Sequence, residues 1–251
     1  MKESRRRQIE SLLAERRNIS MHELCEALNV SMNTVRADVS SLVREGIVEK
    51  VYGGIVLKQH EDIPLYERRS QQKTDCKCRI AKAAERLIED GDIVFIDAGT
   101  TTMRLLDYLD PAKKITVVTA SVSVLQRAQN MPNINAMILP GLYDMRTNAM
   151  LDSSTVEYLC RFQHNKGFFG VSSLTTAGGL GVSNWQEYEL KRTAVAHSQK
   201  PYLLVDATKY GKTALLAYGT LEQMQAIITD REISPEFVEL CHQKNVPLEQ
   251  V

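Results

Sequence analysis

The 251-residue chain is 43% hydrophobic and 25% charged, the balance of a folded globular protein rather than a disordered one. Lys and Arg total 31 and so do Asp and Glu, so a uniformly basic coat for nucleic acid is excluded while a local basic patch is allowed. No run of about 18 apolar residues occurs, and Met1-Lys2-Glu3-Ser4-Arg5-Arg6-Arg7 lacks an apolar secretion core, which points to a cytoplasmic protein with no membrane partner.

The first segment reads as short helices and a hairpin. Ile9, Leu12 and Leu13 follow helical spacing. Ser20-Met21-His22-Glu23 has the form of a capping box and opens a helix with Leu24 and Leu28 inward. After the turn Asn29-Val30, Ser31 caps a further helix whose expected buried stripe is Val35, Val39, Leu42 and Val43, with Gly46 as its stop. Ile47 to Tyr52, Gly53-Gly54 and Ile55 to Leu57 then read as strand, tight turn, strand.

Two helices joined by a tight turn form a helix-turn-helix, in which the start of the second helix reaches base edges in the major groove. With the inward residues subtracted, Met32, Asn33, Thr34, Arg36, Ala37 and Ser40 face outward. Arg36 has the fork for guanine and Asn33 the amide for adenine, while Ser31 and Thr34 suit phosphate oxygens. Lys50 and Tyr52 sit beside the Gly-Gly tip as a wing on the DNA backbone would, and Arg5 and Arg7 add a basic arm. Charge alone supports this weakly, since residues 1–58 carry ten Lys and Arg against eight Asp and Glu, a net of +2.

Residues 58–75 are polar, contain Pro64 and read as a linker, which divides the chain into domains 1–57 and 76–251. Beyond the linker, a helix through Ile80, Ala83, Ala84, Leu87 and Ile88 precedes apolar runs at 93–96, 115–118, 134–139, 167–171, 202–205 and 226–228. Apolar strands alternating with helices predict an α/β domain, Rossmann-like, with a parallel sheet covered on both faces. Asp97-Ala98-Gly99-Thr100-Thr101-Thr102 follows the first of those strands at a helix start, where amides, hydroxyls and the helix dipole favour an anion, phosphate foremost. Cys76-x-Cys78 has no second Cys/His pair at zinc-site spacing and each His is isolated, so no metal is predicted, and no catalytic set or cofactor is expected.

Both halves resemble the DeoR family of transcriptional regulators. The resemblance rests on Ser31-Met-Asn-Thr34-Val35-Arg36-Ala-Asp38-Val39 with the Gly53-Gly54 wing, and on Arg79-Ile80-Ala81, Asp97-x-Gly99-Thr-Thr, Phe169-Gly170-Val171, Glu187-x-Glu189-Leu190-Lys191-Arg192 and Asp206-x-Thr208-Lys209-Tyr210-Gly211. It implies a sensor half similar to ribose-5-phosphate isomerase and a repressor of a carbohydrate-utilisation operon released or recruited by a phosphorylated sugar. It also implies an effector site in which Asp97, Gly99, Thr100, Thr101 and Thr102 hold the phosphate end while Glu187, Lys191 and Lys209 line the rest. The chain departs from the family pattern at Ala37, where many members have Arg, at Thr119-Ala120-Ser121 and at Pro140-Gly141-Leu142. The expected partners are an operator duplex, the small phosphorylated metabolite and further copies of the chain, because one recognition helix covers few bases. A sugar-phosphate isomerase with an accessory helical domain, and a purely structural interaction protein, stand as the alternatives.

Overall fold

The computed structural model describes residues 5, 8–9, 11–13, 18–44, 48–51, 53–57, 66–213 and 215–251, in two compact units, Met1–Asp62 and Ile63–Val251.

In the first unit, β1 (Asn18–Ile19) leads into α1 (Met21–Leu28) and α2 (Met32–Arg44), followed by β2 (Val48–Val51) and β3 (Gly54–Leu57). The capping box forms as expected: Ser20 Oγ accepts the Glu23 N–H at 3.2 Å and the Glu23 carboxylate accepts the Ser20 N–H at 2.7 Å. Asn29 ends α1 in the left-handed region at φ 51. Ser31 Oγ then accepts the Thr34 N–H at 3.3 Å and so caps α2. Ile9, Leu13, Ile19, Leu24, Val35, Val39, Leu42, Val48 and Ile55 form the core of this unit. The strands pair antiparallel in the order β1-β3-β2, and Gly53, at φ +92, turns the hairpin. Gly54 is required by closeness, since a Cβ there would meet the Ile19 carbonyl oxygen at 2.3 Å.

Val43 departs from the expected stripe and is exposed, while Asp38 is buried beside Val39. Val35, Val39 and Leu42 already complete an i, i+4, i+7 stripe, and one further residue turns the side chain about 100° away from it. Gly46 and Ile47 lie outside the described residues.

The expected linker is corrected in its second half. Residues 58–65 lie outside the described residues, but α3 (Tyr66–Gln71) and α4 (Thr74–Glu85) are helical. Tyr66 explains the difference: it is buried in the core of the second unit, its hydroxyl donating to Met103 Sδ.

The second unit continues with β4 (Ile93–Ile96), a short 3₁₀ segment (Thr102–Asp107), β5 (Ile115–Thr119), α5 (Val122–Ala128) and β6 (Ile134–Ile138). After the hairpin β7 (Tyr143–Asp144) and β8 (Ala149–Met150) come α6 (Ser153–Leu159), β9 (His164–Phe169), β10 (Ser173–Leu174), β11 (Gly179–Val182) and α7 (Trp185–Ala196). Then follow β12 (Ser198–Val205), β13 (Leu216–Thr220), β14 (Ala226–Thr229), α8 (Pro235–Gln243) and β15 (Leu248–Gln250).

Seven strands form one parallel sheet in the order β15-β14-β12-β9-β4-β5-β6. Alternate residues of each strand face opposite layers. Phe95, Phe169, Leu203 and Ile227 pack into one buried cluster, and Val94, Ile96, Phe168, Leu204 and Ile228 into the other. Both faces are therefore covered, which is why the strands read as continuous apolar runs. The antiparallel set β10-β11-β13 lies outside this sheet and carried no signal in the sequence reading.

From β4 the chain first winds outward through β5 and β6, then crosses back to β9, β12, β14 and β15 on the other side. The gap between the carboxyl ends of β4 and β9 is thus the switch point, where an open sheet leaves a crevice for a ligand.

Candidate functional site

On the first unit, the residues expected to meet DNA spread over one end of α2 and the hairpin. Ser31, Asn33, Arg36 and Lys50 are exposed, and Met32, Thr34 and Ser40 are half-buried. Ser31 and Thr34 lie hydroxyl to hydroxyl at 3.0 Å, so both are preset by the cap. Arg5 is committed elsewhere: its Nε donates to Asp38 Oδ2 at 2.8 Å and its Nη2 to Oδ1 at 3.3 Å. That bond raises the Arg5 pKa above its ordinary value and anchors the residue to α2. Arg7 and Tyr52 lie outside the described residues.

On the second unit, the crevice at the switch point is a pocket lined by Gly99, Thr100, Thr101, Gly170, Glu187, Lys191 and Lys209, among others. Asp97 and Thr102 do not line it but stand directly behind. Asp97 is 2% exposed and both of its carboxylate oxygens are occupied. Oδ1 accepts the Gly99 N–H at 2.8 Å and the Thr102 hydroxyl, while Oδ2 accepts the Gly170 N–H at 2.7 Å and the Lys191 ammonium at 2.7 Å. This carboxylate ties the ends of β4 and β9 to α7 and sets the shape of the threonine turn. Among the described residues, the amides of Thr100 and Thr101 have no carbonyl partner, so they are available to an anion. The expected helix after the turn is a six-residue 3₁₀ segment, too short for much of a dipole.

Lys191 extends from α7 and donates to the Gly170 carbonyl at 2.6 Å, pairs with Glu187 at 3.3 Å, and lies over the Tyr218 ring at 5.3 Å. Burial alone would raise the Asp97 pKa, yet the Lys191 charge and the Gly170 N–H outweigh it and leave the carboxyl below its ordinary value. Burial likewise lowers Lys191, and the Asp97 and Glu187 charges reverse this and raise it. Burial raises the Tyr218 phenol, whose hydroxyl donates to the Gly170 carbonyl at 3.1 Å. The set places one ammonium between two carboxylates, with every donor of the ammonium engaged. Its chemistry is to hold a shape, because an Asp97 that accepts four hydrogen bonds has no lone pair directed at a substrate proton.

The sequence reading missed three basic residues of the wall. Arg69 reaches the pocket from α3, Lys73 from the cap before α4 and Lys77 from α4, and Asp206 and Thr208 join Lys209 at the end of β12. Arg69 and Lys73 went unweighed because residues 58–75 read as a linker, and Lys77, just beyond it, carries no motif of its own. Trp185 packs tilted against Tyr188, ring centroids 5.2 Å apart, and does not line the pocket. Cys76 and Cys241 are buried, and burial pushes the Cys76 thiol up to about 12 while it donates to Asp230 at 3.1 Å. No cluster of metal-ligating side chains occurs among the described residues, and none of the helices there is long and apolar enough to cross a membrane.

A winged helix-turn-helix joined to an α/β unit with a pocket at its switch point is the build of a DNA-binding regulator with its own sensor. The profile of the DeoR-like helix-turn-helix domain matches residues 5–61, and that of the DeoR C-terminal sensor domain matches residues 72–231. The chain belongs to the DeoR family of transcriptional regulators. It is 36% identical to the HTH-type transcriptional regulator IolR of Bacillus subtilis (strain 168) over 246 residues, 98% of each chain. It is 25% identical to the glycerol-3-phosphate regulon repressor of Escherichia coli (strain K12), over 99% of each. The transcriptional repressor GlcR of Bacillus subtilis (strain 168) is 27% identical over 94% of this chain and 91% of its own. Among solved structures, ribose 5-phosphate isomerase A of Methanocaldococcus jannaschii aligns with 55% of each chain, at a TM-score of 0.42 and 16% identity.

Proposed function

We propose that this protein represses a carbohydrate-utilisation operon and that a phosphorylated sugar, bound at the end of β4, controls its grip on the operator. The carrying observation is the turn Gly99–Thr101, where the Thr100 and Thr101 amides, without carbonyl partners among the described residues, and their hydroxyls face the pocket. Phosphate matches that chemistry, since its oxygens accept amide N–H and hydroxyl donors alike. Asp97 and Thr102 shape this turn from behind rather than touch the ligand. The naming of a relative for a glycerol-3-phosphate regulon supports a carbohydrate role.

Asn33 and Arg36 read base edges in the major groove, Ser31 and Thr34 hold phosphate oxygens, and Lys50 lies on the backbone beside them. A homo-oligomer, dimer or tetramer, presents repeated reading heads to a cytoplasmic duplex. Metabolite and operator are coupled to the extent that the metabolite distinguishes the two states, typically 1–3 kcal/mol. Isomerase chemistry is disfavoured because Asp97, the carboxylate deepest at the switch point, is saturated by its four donors.

A thermal-shift screen of phosphorylated sugars, followed by operator titration with each hit, tests this. A ligand at 100 times its Kd adds about 2.7 kcal/mol to stability. A screen in which no phosphorylated sugar raises the melting temperature, or in which every hit leaves operator affinity unchanged, overturns the proposal.

A further inference from the structure

The pocket has two ends, and the phosphate reading uses only one of them. β4 and β12 both flank β9. Their carboxyl ends are therefore two strand spacings apart, about 10 Å. The Gly99–Thr101 turn closes the pocket at the end of β4, and Asp206, Thr208 and Lys209 close it at the end of β12.

Charge is unevenly compensated between these ends. At the β4 side Lys191 is matched by Asp97 and Glu187. Lys73 is matched by Glu232 at 3.0 Å. At the β12 side Lys77 is 4% exposed, and its ammonium donates only to the Arg69 carbonyl oxygen. Among the described residues no carboxylate lies within ion-pair distance of Lys77 or of Lys209. Asp206, the carboxylate nearest this group, spends Oδ1 on the Thr208 amide and hydroxyl. A buried ammonium without a counterion is unfavourable, and natural chains keep one only where something supplies the missing charge.

We propose that the effector carries a second anionic group at the end opposite its phosphate, held between Lys77 and Lys209 with Arg69 beside them. The effector is then a phosphorylated sugar acid or a sugar bisphosphate rather than a neutral-tailed sugar phosphate. The separation of the two ends is roughly the reach of an extended five- to six-carbon chain. The electrostatics agree. Burial lowers Lys77 to about 8, with Asp206 opposing and Lys209, Arg104 and Arg69 adding to the fall. Burial also lowers Lys209, again against Asp206 and with Arg69 and Lys212 adding. Burial first, and then the neighbouring cations, disfavour the charged form of each lysine, and an anion between them offsets both.

This inference rests on the phosphate reading, and the experiment separates the two. Affinities of the full-length protein are measured by calorimetry for glucose 6-phosphate, 6-phosphogluconate and fructose 1,6-bisphosphate, with further aldose phosphates and their matching aldonic acid phosphates of four to six carbons. At least one doubly anionic compound is expected to bind tenfold or more tighter than its singly phosphorylated counterpart. The carboxylate and bisphosphate arms show which anion supplies the second charge. In Lys209→Met, a half-exposed position suited to an apolar stem, that ratio collapses toward one; Lys77→Met gives the same collapse.

Equal affinity within every matched pair overturns the second anion subsite and leaves the phosphate reading standing. So does a Lys209→Met protein in which both members of a pair weaken equally, since all cations would then serve one phosphate. Failure of every phosphorylated compound to bind overturns both.

Discussion

Asp97 and Lys191 hold each other's charge in the interior, and each is costly without the other. Removing one partner of a buried pair typically costs about 3–5 kcal/mol, because the remaining charge is stranded. Lys191→Met is therefore expected to destabilise the second unit by about that amount in urea unfolding, and a loss below about 1 kcal/mol would show that the pair does not hold the site. The pH dependence fixes the sign. The folded Asp97 value lies below the unfolded one near 3.9, so its contribution is present above about pH 4 and is lost as pH falls through the folded value. The folded Lys191 value is raised, so its contribution is present below about pH 10.4 and is lost as pH rises through the folded value. Without Lys191 burial dominates at Asp97, and protonation then relieves the stranded carboxylate. The deficit of Lys191→Met relative to the parent should be largest near neutrality and shrink toward pH 4. At the proposed DNA face Arg36 is exposed, so its truncation removes little packing. Arg36→Ala should weaken specific operator binding by about 1–3 kcal/mol while melting at the parent temperature, as read by fluorescence anisotropy and calorimetry. Unchanged operator affinity would remove α2 from the reading face.

Among the elements, the turn after β4 tolerates little added bulk. A Cβ at Gly99 would stand 2.8 Å from both Asp97 Oδ1 and Thr102 Oγ1, the atoms that shape the turn. Gly99→Ala should cost about 1–3 kcal/mol of stability through this crowding and abolish the thermal shift given by phosphorylated sugars. A variant that melts normally and still responds to ligand would show that the turn is not the anion seat. This turn was legible in the sequence because strand, small residue and hydroxyls stand in contiguous order, and the parallel strands were legible because burial on both faces leaves an unbroken apolar run. Other elements left weaker marks. β15 reads Leu-Glu-Gln and is half-exposed at the sheet edge, so its apolar content is too low to register. α3 is six residues long with Tyr66 as its one buried side chain, and such a short amphipathic stretch resembles a linker until its neighbours are known. Reading residues 58–75 as a linker also lost Arg69 and Lys73 from the site. Thr102 was placed among the ligand contacts because hydroxyls in a row look alike; only the fold shows that it turns inward to Asp97.

At the scale of the whole molecule, the reading surface proposed for the first unit is short, from Ser31 to Ser40, with Lys50 at its flank. A surface of that length meets only a few base pairs, at about 1–3 kcal/mol for each good contact, which is far from what separates one operator from a genome of competitors. Two copies acting together multiply the discrimination, provided that both reach the duplex at once. Reading heads fixed by symmetry meet half-sites on the same side of the helix, about one turn or a whole number of turns apart. Inserting five base pairs between half-sites rotates one of them to the far face and separates the heads from their targets. Operator affinity should then fall on the order of 100-fold, the size of a lost second attachment. Inserting ten base pairs restores the phase and should recover part of the loss, limited by how far the oligomer can stretch. If affinity were indifferent to both insertions, each copy would be binding alone, and the specificity of this regulator would have to come from DNA shape rather than from paired reading of bases.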